Sequence, residues 1–296
     1  MKILPLLCCA ALPFSAAGSL LTVVNETWAD GDRTNQDLAN NSMAWYSSGG
    51  ATSVVTNVGS MERLASAHVV AYFTDAGSPV IIGVGQQIQL NFTVRFPFAH
   101  VGDTFGTGDF RAALLNSSGA ANRVTGDGHA GTNANPTAGT FQPLFIPYTG
   151  YMASGRLIAE DERMSLRKRL ADQEGGGALI AAIAPFELIG EQEASVALSP
   201  GEVYFGTLLV DRVGVDSAEI SYTLSDGAST LVNVVRMDES GAYFTFDTVA
   251  FALGSNTASG FELQQVEISI IPEPSAYALL LGTLGLALVL IRRRRK

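Results

Sequence analysis

The segment QQIQLNFTVRF, residues 86–96, contains the clearest structural pattern in the sequence. Apolar side chains occupy every second position, at Ile88, Leu90, Phe92, Val94 and Phe96. The positions between them carry amide, hydroxyl or guanidinium groups. Because successive side chains of a β-strand point to opposite faces of the sheet, this alternation predicts a strand with one face in a core and the other in water.

Segments of the same kind recur along the chain. SAEISYTLSDG (217–227) alternates, SDGAS (225–229) supplies turn residues, and TLVNVV (230–235) follows as the predicted hairpin partner. Other candidate strands are SLLTVV (19–24), AHVVAYF (67–73), DFRAALL (109–115), VYFGTLLV (203–210), AYFTFDTVAFAL (242–253) and VEISI (266–270). About a dozen short strands with Gly- and Asn-rich turns predict an all-β fold, a jelly-roll-like antiparallel β-sandwich over residues 18–270.

The segment EDERMSLRKRLADQE, residues 160–174, fits this pattern less well. Its composition favours a helix, but Met164, Leu166 and Leu170 do not form a continuous stripe of period 3.6. We expect a long hairpin with a basic outer face, and a surface helix is the alternative. We interpret the run 167–169, Arg-Lys-Arg, as a solvated face.

The C-terminal segment IPEPSAYALLLGTLGLALVLIRRRRK, residues 271–296, has a different character. Residues 276–291 are 16 uncharged, Leu-rich positions, which as a helix would span about 24 Å. This predicts a single, short transmembrane helix. The cations behind it are expected to anchor the helix on the cytoplasmic side; they are Arg292, Arg293, Arg294, Arg295 and Lys296.

A Pro-Glu-Pro-Ser motif at 272–275 precedes the apolar segment, and its two prolines favour an extended chain. The motif, the short helix and the basic tail together resemble the PEP-CTERM sorting signal, here residues 271–296. The resemblance assigns Pro272, Glu273 and Pro274 as the sorting motif. It implies recognition by an exosortase, a membrane enzyme that processes the tail, and an association with exopolysaccharide.

The N-terminal segment MKILPLLCCAALPFSAAG is typical of a secretory signal peptide, with cleavage expected after Ala17. A lipoprotein signal using Cys8 or Cys9 is the less favoured alternative. Signal peptidase and the export machinery are therefore expected partners. Both cysteines of the chain lie in this segment, so the predicted mature chain has no disulfide, thiolate nucleophile or Cys-ligated metal.

The charge restricts the partners further. The chain carries 18 Lys and Arg against 28 Asp and Glu, a net charge of −10. Removing Lys2 and the five terminal cations leaves 12 basic residues, so the predicted mature chain has a net charge of −16. This argues against nucleic acid, anionic lipid or a polyanionic glycan as a purely electrostatic partner, and leaves neutral polysaccharide and divalent cations.

Residues 20–270 contain stretches, among them GDTFGTGDFRAALLNSSG and FDTVAFAL, that resemble concanavalin-like and carbohydrate-binding sandwich domains. That resemblance implies a concave sheet able to hold sugars. Sugar binding calls for exposed aromatic rings, and the candidates lie in polar or Gly-rich surroundings: Trp28, Trp45, Tyr46, Tyr148 and Tyr151. The alternative is that most of them pack against the core.

Oxygen-rich loops could hold Ca²⁺, with Asp103, Asp109 and Asp127 as the candidate ligands. Asp is also an ordinary turn residue, and the EF-hand spacing is absent from the sequence. We interpret His68 as structural, whereas His100 and His129 lie in Gly-rich loops where either could be a ligand. No other cofactor is indicated.

Three functions remain compatible with the sequence. The first is an exported, sorted, non-catalytic surface or matrix protein that is associated with exopolysaccharide, held at the inner membrane before processing and at the cell surface or outside the cell afterwards. The second is a secreted glycan hydrolase or lyase on the same fold, and the third is a structural envelope protein without a ligand. The sequence contains no nucleophile elbow, P-loop or paired metal-binding histidines, which favours the first.

Overall fold

The computed structural model describes residues 20–34, 42–64, 68–97, 104–129, 143–171, 179–180, 185–254 and 257–273. Within these ranges the regular structure is β-strand apart from three single-turn 3₁₀ helices at Ala51–Ser53, Ala120–Asn122 and Pro143–Phe145. The strands are β1 (Leu21–Glu26), β2 (Trp45–Ser47), β3 (Val54–Asn57), β4 (Ser60–Leu64), β5 (His68–Tyr72), β6 (Val80–Ile81), β7 (Gln87–Arg95), β8 (Asp109–Asn116), β9 (Thr149–Arg156), β10 (Glu160–Arg169), β11 (Phe186–Leu188), β12 (Glu193–Ser195), β13 (Val203–Asp211), β14 (Ala218–Ser225), β15 (Thr230–Asp238), β16 (Thr245–Phe246), β17 (Thr248–Leu253) and β18 (Gly260–Ile271).

The strands form two antiparallel eight-stranded sheets. The first, which we call the exposed sheet, has the order β15-β14-β13-β7-β18-β4-β3, with β1 paired to β18. The second, the covered sheet, has the order β11-β10-β9-β8-β17-β5-β2, with β12 paired to β10. β6 and β16 pair separately. The predicted all-β antiparallel sandwich is therefore confirmed.

Strand β7 lies in the middle of the exposed sheet, as its alternation requires. It pairs with β13 along its whole length and with β18 on its other edge. The residues at Ile88, Leu90 and Val94 are fully buried, and those between them are half-buried. Gly206 of β13 lies opposite Phe92, and a Cβ at Gly206 would overlap the Phe92 ring, so glycine is required at this point of close approach.

The core between the sheets is built around aromatic rings from both. The ring of Phe92 lies 5.1 Å from that of Phe251 on β17 and 6.0 Å from that of Phe110 on β8, measured between centroids. Trp45 on β2 extends the contact, 6.2 Å from Phe251. These edge and tilted contacts are the favoured geometries for aromatic pairs, and they join the two sheets into one core.

The outer face of the covered sheet, which points away from the core between the sheets, is also buried, and the sheet is named for this. Every residue of β5 and β17 is buried. A second apolar cluster covers this face, in which Phe145 and Tyr148 pack with Leu179 and Ile180 over residues of the sheet. The continuous apolar pattern of AHVVAYF and TVAFAL, without alternation, follows from burial on both sides.

Strand β10 confirms an extended chain over residues 160–169 of the segment 160–174 and corrects which face is solvated. β10 pairs with β9 and β11, so the alternative of a surface helix is wrong. The expected solvated basic run is also wrong, because Lys168 is 6% exposed and Arg169 is fully buried. Lys168 forms an ion pair of 3.0 Å with Asp238 on β15, and Arg169 donates to the carbonyl oxygens of Phe145 and Tyr148. These cations tie the covering loops and the two sheets together.

The predicted terminal segments lie outside the described residues, namely the signal peptide (1–17), Pro274 of the motif, the apolar segment (276–291) and the basic tail (292–296). Within the described ranges, no helix is long and apolar enough to cross a membrane. Of the sorting motif, Pro272 is half-buried and Glu273 is exposed, directly after the end of β18. The signal peptide, the anchor and the domain boundaries stay predictions.

Candidate functional site

The outer side of the exposed sheet presents an array of amides and hydroxyls, which we call the polar face. Register aligns one row of it across six strands: Asn233, Thr223, Thr207, Asn91, Glu267 and Asn25. The row arises because each of these residues occupies the outward position of an alternating strand. At about 4.8 Å between neighbouring strands, the row is about 24 Å long.

Hydrogen bonds within the polar face orient its side chains. Thr207 Oγ1 donates to Asn91 Oδ1 at 2.8 Å, and Gln89 Nε2 donates to the same oxygen at 2.7 Å. Gln265 Nε2 donates to Asn25 Oδ1 at 2.9 Å. Asn91 Nδ2 has no acceptor among the described residues, so the network presents an oriented donor at the centre of the face.

One large aromatic ring is exposed on this face. Phe205 on β13 is 46% exposed, and Thr93 and Ser225 are its register partners on the flanking strands. Phe205 was not among the residues that the sequence predicted to bind sugar. The signal was present in VYFGTLLV, where Tyr204 takes the inward position and Phe205 shares the outward register of Thr207.

Carboxylates give the polar face a negative charge. Asp211 at the end of β13 and Glu219 at the start of β14 are register partners, and Glu267 lies in the central row. Among the described residues none of these three forms an ion pair with Lys or Arg. Glu262 pairs with Arg95, so the arginine of this face is already neutralised. The face is therefore suited to uncharged ligands rather than anionic ones.

The predicted sugar-stacking residues lie elsewhere. Trp28, Trp45, Tyr148 and Tyr151 are all fully buried, and their rings offer no face to a sugar, so the prediction is wrong for these four. Tyr46 is half-buried and packs against the cluster that covers the second sheet. Polar and Gly-rich neighbours in sequence were misleading, because the burial of a side chain is decided by the register of its strand.

Each of the buried rings has a structural partner. Trp28 and Trp45 lie 5.8 Å apart between centroids. The hydroxyl of Tyr151 donates to Asp238 Oδ2 at 2.8 Å, and that of Tyr148 lies 3.0 Å from the hydroxyl of Tyr72. These contacts confirm the alternative reading, that most of these aromatic residues pack in the core.

The candidate calcium ligands bind arginines instead. Asp127 accepts from Arg33 at 2.5 Å and from the backbone nitrogen of Ser47 at 2.7 Å. Asp109 lies 3.3 Å from Arg111, and Asp103 falls outside the described residues. Within the described ranges no three His, Cys, Asp or Glu side chains form a group that could hold a metal ion. The calcium hypothesis is thus not supported at Asp109 and Asp127, which are committed to ion pairs.

The fold joins two histidines that are 61 residues apart in sequence. His68 Nε2 and His129 Nε2 are 2.9 Å from each other, and both side chains are buried against Phe145. Burial lowers the pKa of His68 well below its usual value, and the charge of His129 and of Arg63 lowers it further. Burial also lowers the pKa of His129, against the opposing effects of a hydrogen bond to Gly126 and the charge of Asp127. The pair is therefore neutral at pH 7 and one ring donates to the other, so His129 is a packing contact here.

A small cavity between the two sheets is lined by described residues. A cavity of about 20 Å³ lies among Phe110, Met164, Leu198, Tyr222 and neighbouring residues, which is room for about one water molecule. An organic ligand does not fit there. The polar face is consequently the better candidate for a binding surface.

Comparisons with known proteins give distant structural likenesses. No family model and no curated protein matches the chain. Similar solved structures include a basic winged bean lectin with Tn-antigen, at 11% identity and a TM-score of 0.45, covering 86% of this chain and 100% of that one. A protein of unknown function from Shewanella oneidensis is 12% identical with a TM-score of 0.45, covering 89% and 92% of the two chains. An alginate lyase bound to an alginate tetrasaccharide is 9% identical with a TM-score of 0.38, covering 85% and 97%. Likeness at this level carries no information on ligand or activity.

The histidine pair predicts a pH dependence of stability. The unfolded chain takes up protons on His68 and His129 around pH 6.5, their ordinary pKa, whereas in the folded chain both pKa values are lowered and the protons bind only at lower pH. The contribution of the two neutral histidines to the free energy of unfolding is therefore fully present above pH 6.5. Below that pH it falls by up to about 1.4 kcal/mol per pH unit for each histidine. Urea unfolding between pH 8 and pH 5 measures this slope.

The double variant His68→Asn with His129→Asn is the comparison. We expect it to be less stable than the parent at pH 8 but to have a much shallower slope below pH 6.5. Burial raises the pKa of Glu26, and this contributes with the opposite sign in both proteins. An unchanged slope in the double variant would contradict the account.

Proposed function

We propose that this chain is an exported, exosortase-sorted cell-surface or matrix protein that binds neutral extracellular polysaccharide without chemically altering it. The observation that carries the binding proposal is the exposed Phe205 ring inside the oriented amide and hydroxyl array of the polar face. An aromatic ring can pack on the apolar side of a pyranose, and the surrounding amides and hydroxyls can exchange hydrogen bonds with its hydroxyl groups.

The charge of the polar face supports a neutral ligand. Asp211, Glu219 and Glu267 would repel a polyanion, and the chain as a whole carries a charge of −10. Sugar hydroxyls, in contrast, are good donors to these carboxylates and good acceptors from the amide of Asn91. Long-range attraction is then unnecessary, because the contacts are short hydrogen bonds.

Export and sorting are supported by the two ends of the sequence. Residues 1–17 have a lysine, an apolar run and small residues in the order typical of a signal peptide. Residues 271–296 have the motif, the apolar segment and the basic tail in the order typical of the PEP-CTERM signal. Glu273 is exposed two residues beyond the last strand, so a membrane enzyme would meet the motif directly beneath the sandwich. The inner membrane would hold the protein before processing.

A ligand-free structural role is the second candidate, and the covered sheet favours it. Phe145, Tyr148, Leu179 and Ile180 cover part of the outer face of this sheet, so that part is closed to a sugar. If the polar face binds no glycan, the sandwich is better explained as a rigid envelope component.

Replacing Phe205 by Ala tests the binding surface. The full-length chain in mild detergent is measured against dextran, xylan and galactomannan by affinity electrophoresis. We expect at least one of these neutral polymers to retard the parent, and F205A to bind it about tenfold more weakly, equivalent to about 1.4 kcal/mol.

Val215→Ala is the matched control, since Val215 is 81% exposed in the turn between β13 and β14 and lies off the polar face. It should bind as the parent does. If the parent chain binds none of the neutral polymers, the binding proposal is wrong and the structural role is favoured. A decrease in polymer length during incubation would instead reveal an enzyme.

Replacing Pro272, Glu273 and Pro274 together by Ala tests sorting. In the producing cell we expect the variant chain to stay at full length in the inner-membrane fraction, whereas the parent chain loses its tail and leaves that fraction. A control with Pro200→Ala and Glu202→Ala makes similar changes in the loop before β13. Normal processing of the triple variant would disprove exosortase sorting and leave the binding proposal standing.

A further inference from the structure

Beyond the covering cluster, the outer side of the covered sheet becomes polar. One register row runs from Ser165 on β10 through Ser154 on β9 to Arg111 on β8. Arg167 lies on the same face, two positions beyond Ser165 along β10. β8 and β10 are separated by β9, so the two strands lie about 10 Å apart. Arg167 is two positions out of register with Arg111, which puts their backbones about 12 Å apart, and long side chains can meet over β9.

Four arginines lie in this region, three of them paired with Asp109 or Glu160, and we call them the arginine cluster: Arg111, Arg156, Arg163 and Arg167. Arg111 Nη2 lies 3.3 Å from Asp109, and Arg156 Nε lies 4.0 Å from the same residue. Glu160 pairs with Arg156 and, at 3.3 Å, with Arg163. Three of the four arginines therefore have a carboxylate partner, and Arg167 has none among the described residues.

Arg167 is the clearest unneutralised charge. Its Nε donates to Ser165 Oγ at 3.1 Å, and among the described residues it forms no ion pair. Burial lowers the pKa of Arg167, and the positive charge of Arg111 lowers it further, against the attraction of Asp109. Because Ser165 engages only Nε, the two terminal nitrogens remain as a fork for an acceptor.

Arg111 lies deeper. Its side chain is 10% exposed, and its buried Nε has no hydrogen-bond partner within the described part of the chain. The exposure of the cluster increases outward, from Arg111 through Arg156 to Arg163, whose side chain is 46% exposed. An anion could thus approach from solvent at Arg163 and Arg167 and reach Arg111.

A half-buried guanidinium without a counter-charge is unfavourable, and an apolar side chain would fit a covered sheet at lower cost. A bound anion removes that cost. The fork of a guanidinium matches the two oxygens of a carboxylate in bidentate geometry. Four arginines form too small a positive surface for a nucleic acid on a chain of charge −10.

We propose that the arginine cluster binds the carboxylate of an acidic sugar residue, with Arg111 and Arg167 as the principal donors. The inference rests on the proposed function in taking the anion to be part of a glycan. It adds a second surface, on the opposite sheet from the polar face and with the opposite preference for charge. Acidic residues within a largely neutral polymer would satisfy both surfaces.

Calorimetry with the full-length chain in nonionic detergent tests the site. The probe is trigalacturonate, and its fully methyl-esterified form has the same backbone without the charges. We expect the acid to bind and the ester to bind at least tenfold more weakly. Arg167→Gln should weaken binding of the acid at least tenfold, and Arg111→Gln likewise if its melting temperature shows it folded.

Arg236→Gln removes the same charge on β15, where Arg236 pairs with Glu193, and should bind as the parent does.

Equal binding of acid and ester, or no binding of the acid, would overturn the proposal. Displacement of trigalacturonate by inorganic sulfate or acetate at equal concentration would also overturn it, by showing a simple anion site. Phe205→Ala should leave trigalacturonate binding intact. If the parent chain binds trigalacturonate but no neutral polymer, the proposed function is wrong and this inference stands. If the parent chain binds a neutral polymer but not trigalacturonate, this inference is wrong and the proposed function stands.

Discussion

The two-sided pairing of β7 is the constraint on which the rest of the structure depends. Its backbone is hydrogen-bonded to β13 on one edge and to β18 on the other, while the side chains of Ile88, Leu90 and Val94 are buried in the core. A slip by one residue would turn this whole apolar set to water, so one face of the exposed sheet must be core and the other must be solvent. The same register places Asn91 and Thr207 together on the polar face.

The two sheets consequently have different chemistry. The exposed sheet has one free face, and its carboxylates suit neutral hydroxyl-bearing ligands. The covered sheet is buried on both faces over β5 and β17 and becomes polar only beyond the covering cluster, where Arg167 has no carboxylate partner among the described residues. A chain of net negative charge can therefore present a local positive site, because short-range contacts depend on neighbouring groups rather than on the total charge.

The sequence predicted what depends on local period and missed what depends on register between strands. Alternation in 86–96 gave the face of every residue of β7, and the apolar run 248–253 is a strand as expected. Trp45 and Tyr151 were misjudged because their neighbours in sequence are polar while their neighbours across the sheets are aromatic. The contact of His68 with His129 and the burial of Arg169 are set by loops that return over the covered sheet, and no local pattern announces them.

Native-state hydrogen exchange of the backbone amides tests the central role of β7 most directly. If its two-sided pairing organises the sandwich, the amides of Leu90 and Phe92 will exchange only through global unfolding. Their exchange free energies will then equal the free energy of unfolding from urea titration, and amides of the edge strand β15 will exchange faster. Exchange in β7 that is as fast as in β15, with free energies well below that of global unfolding, would contradict the account.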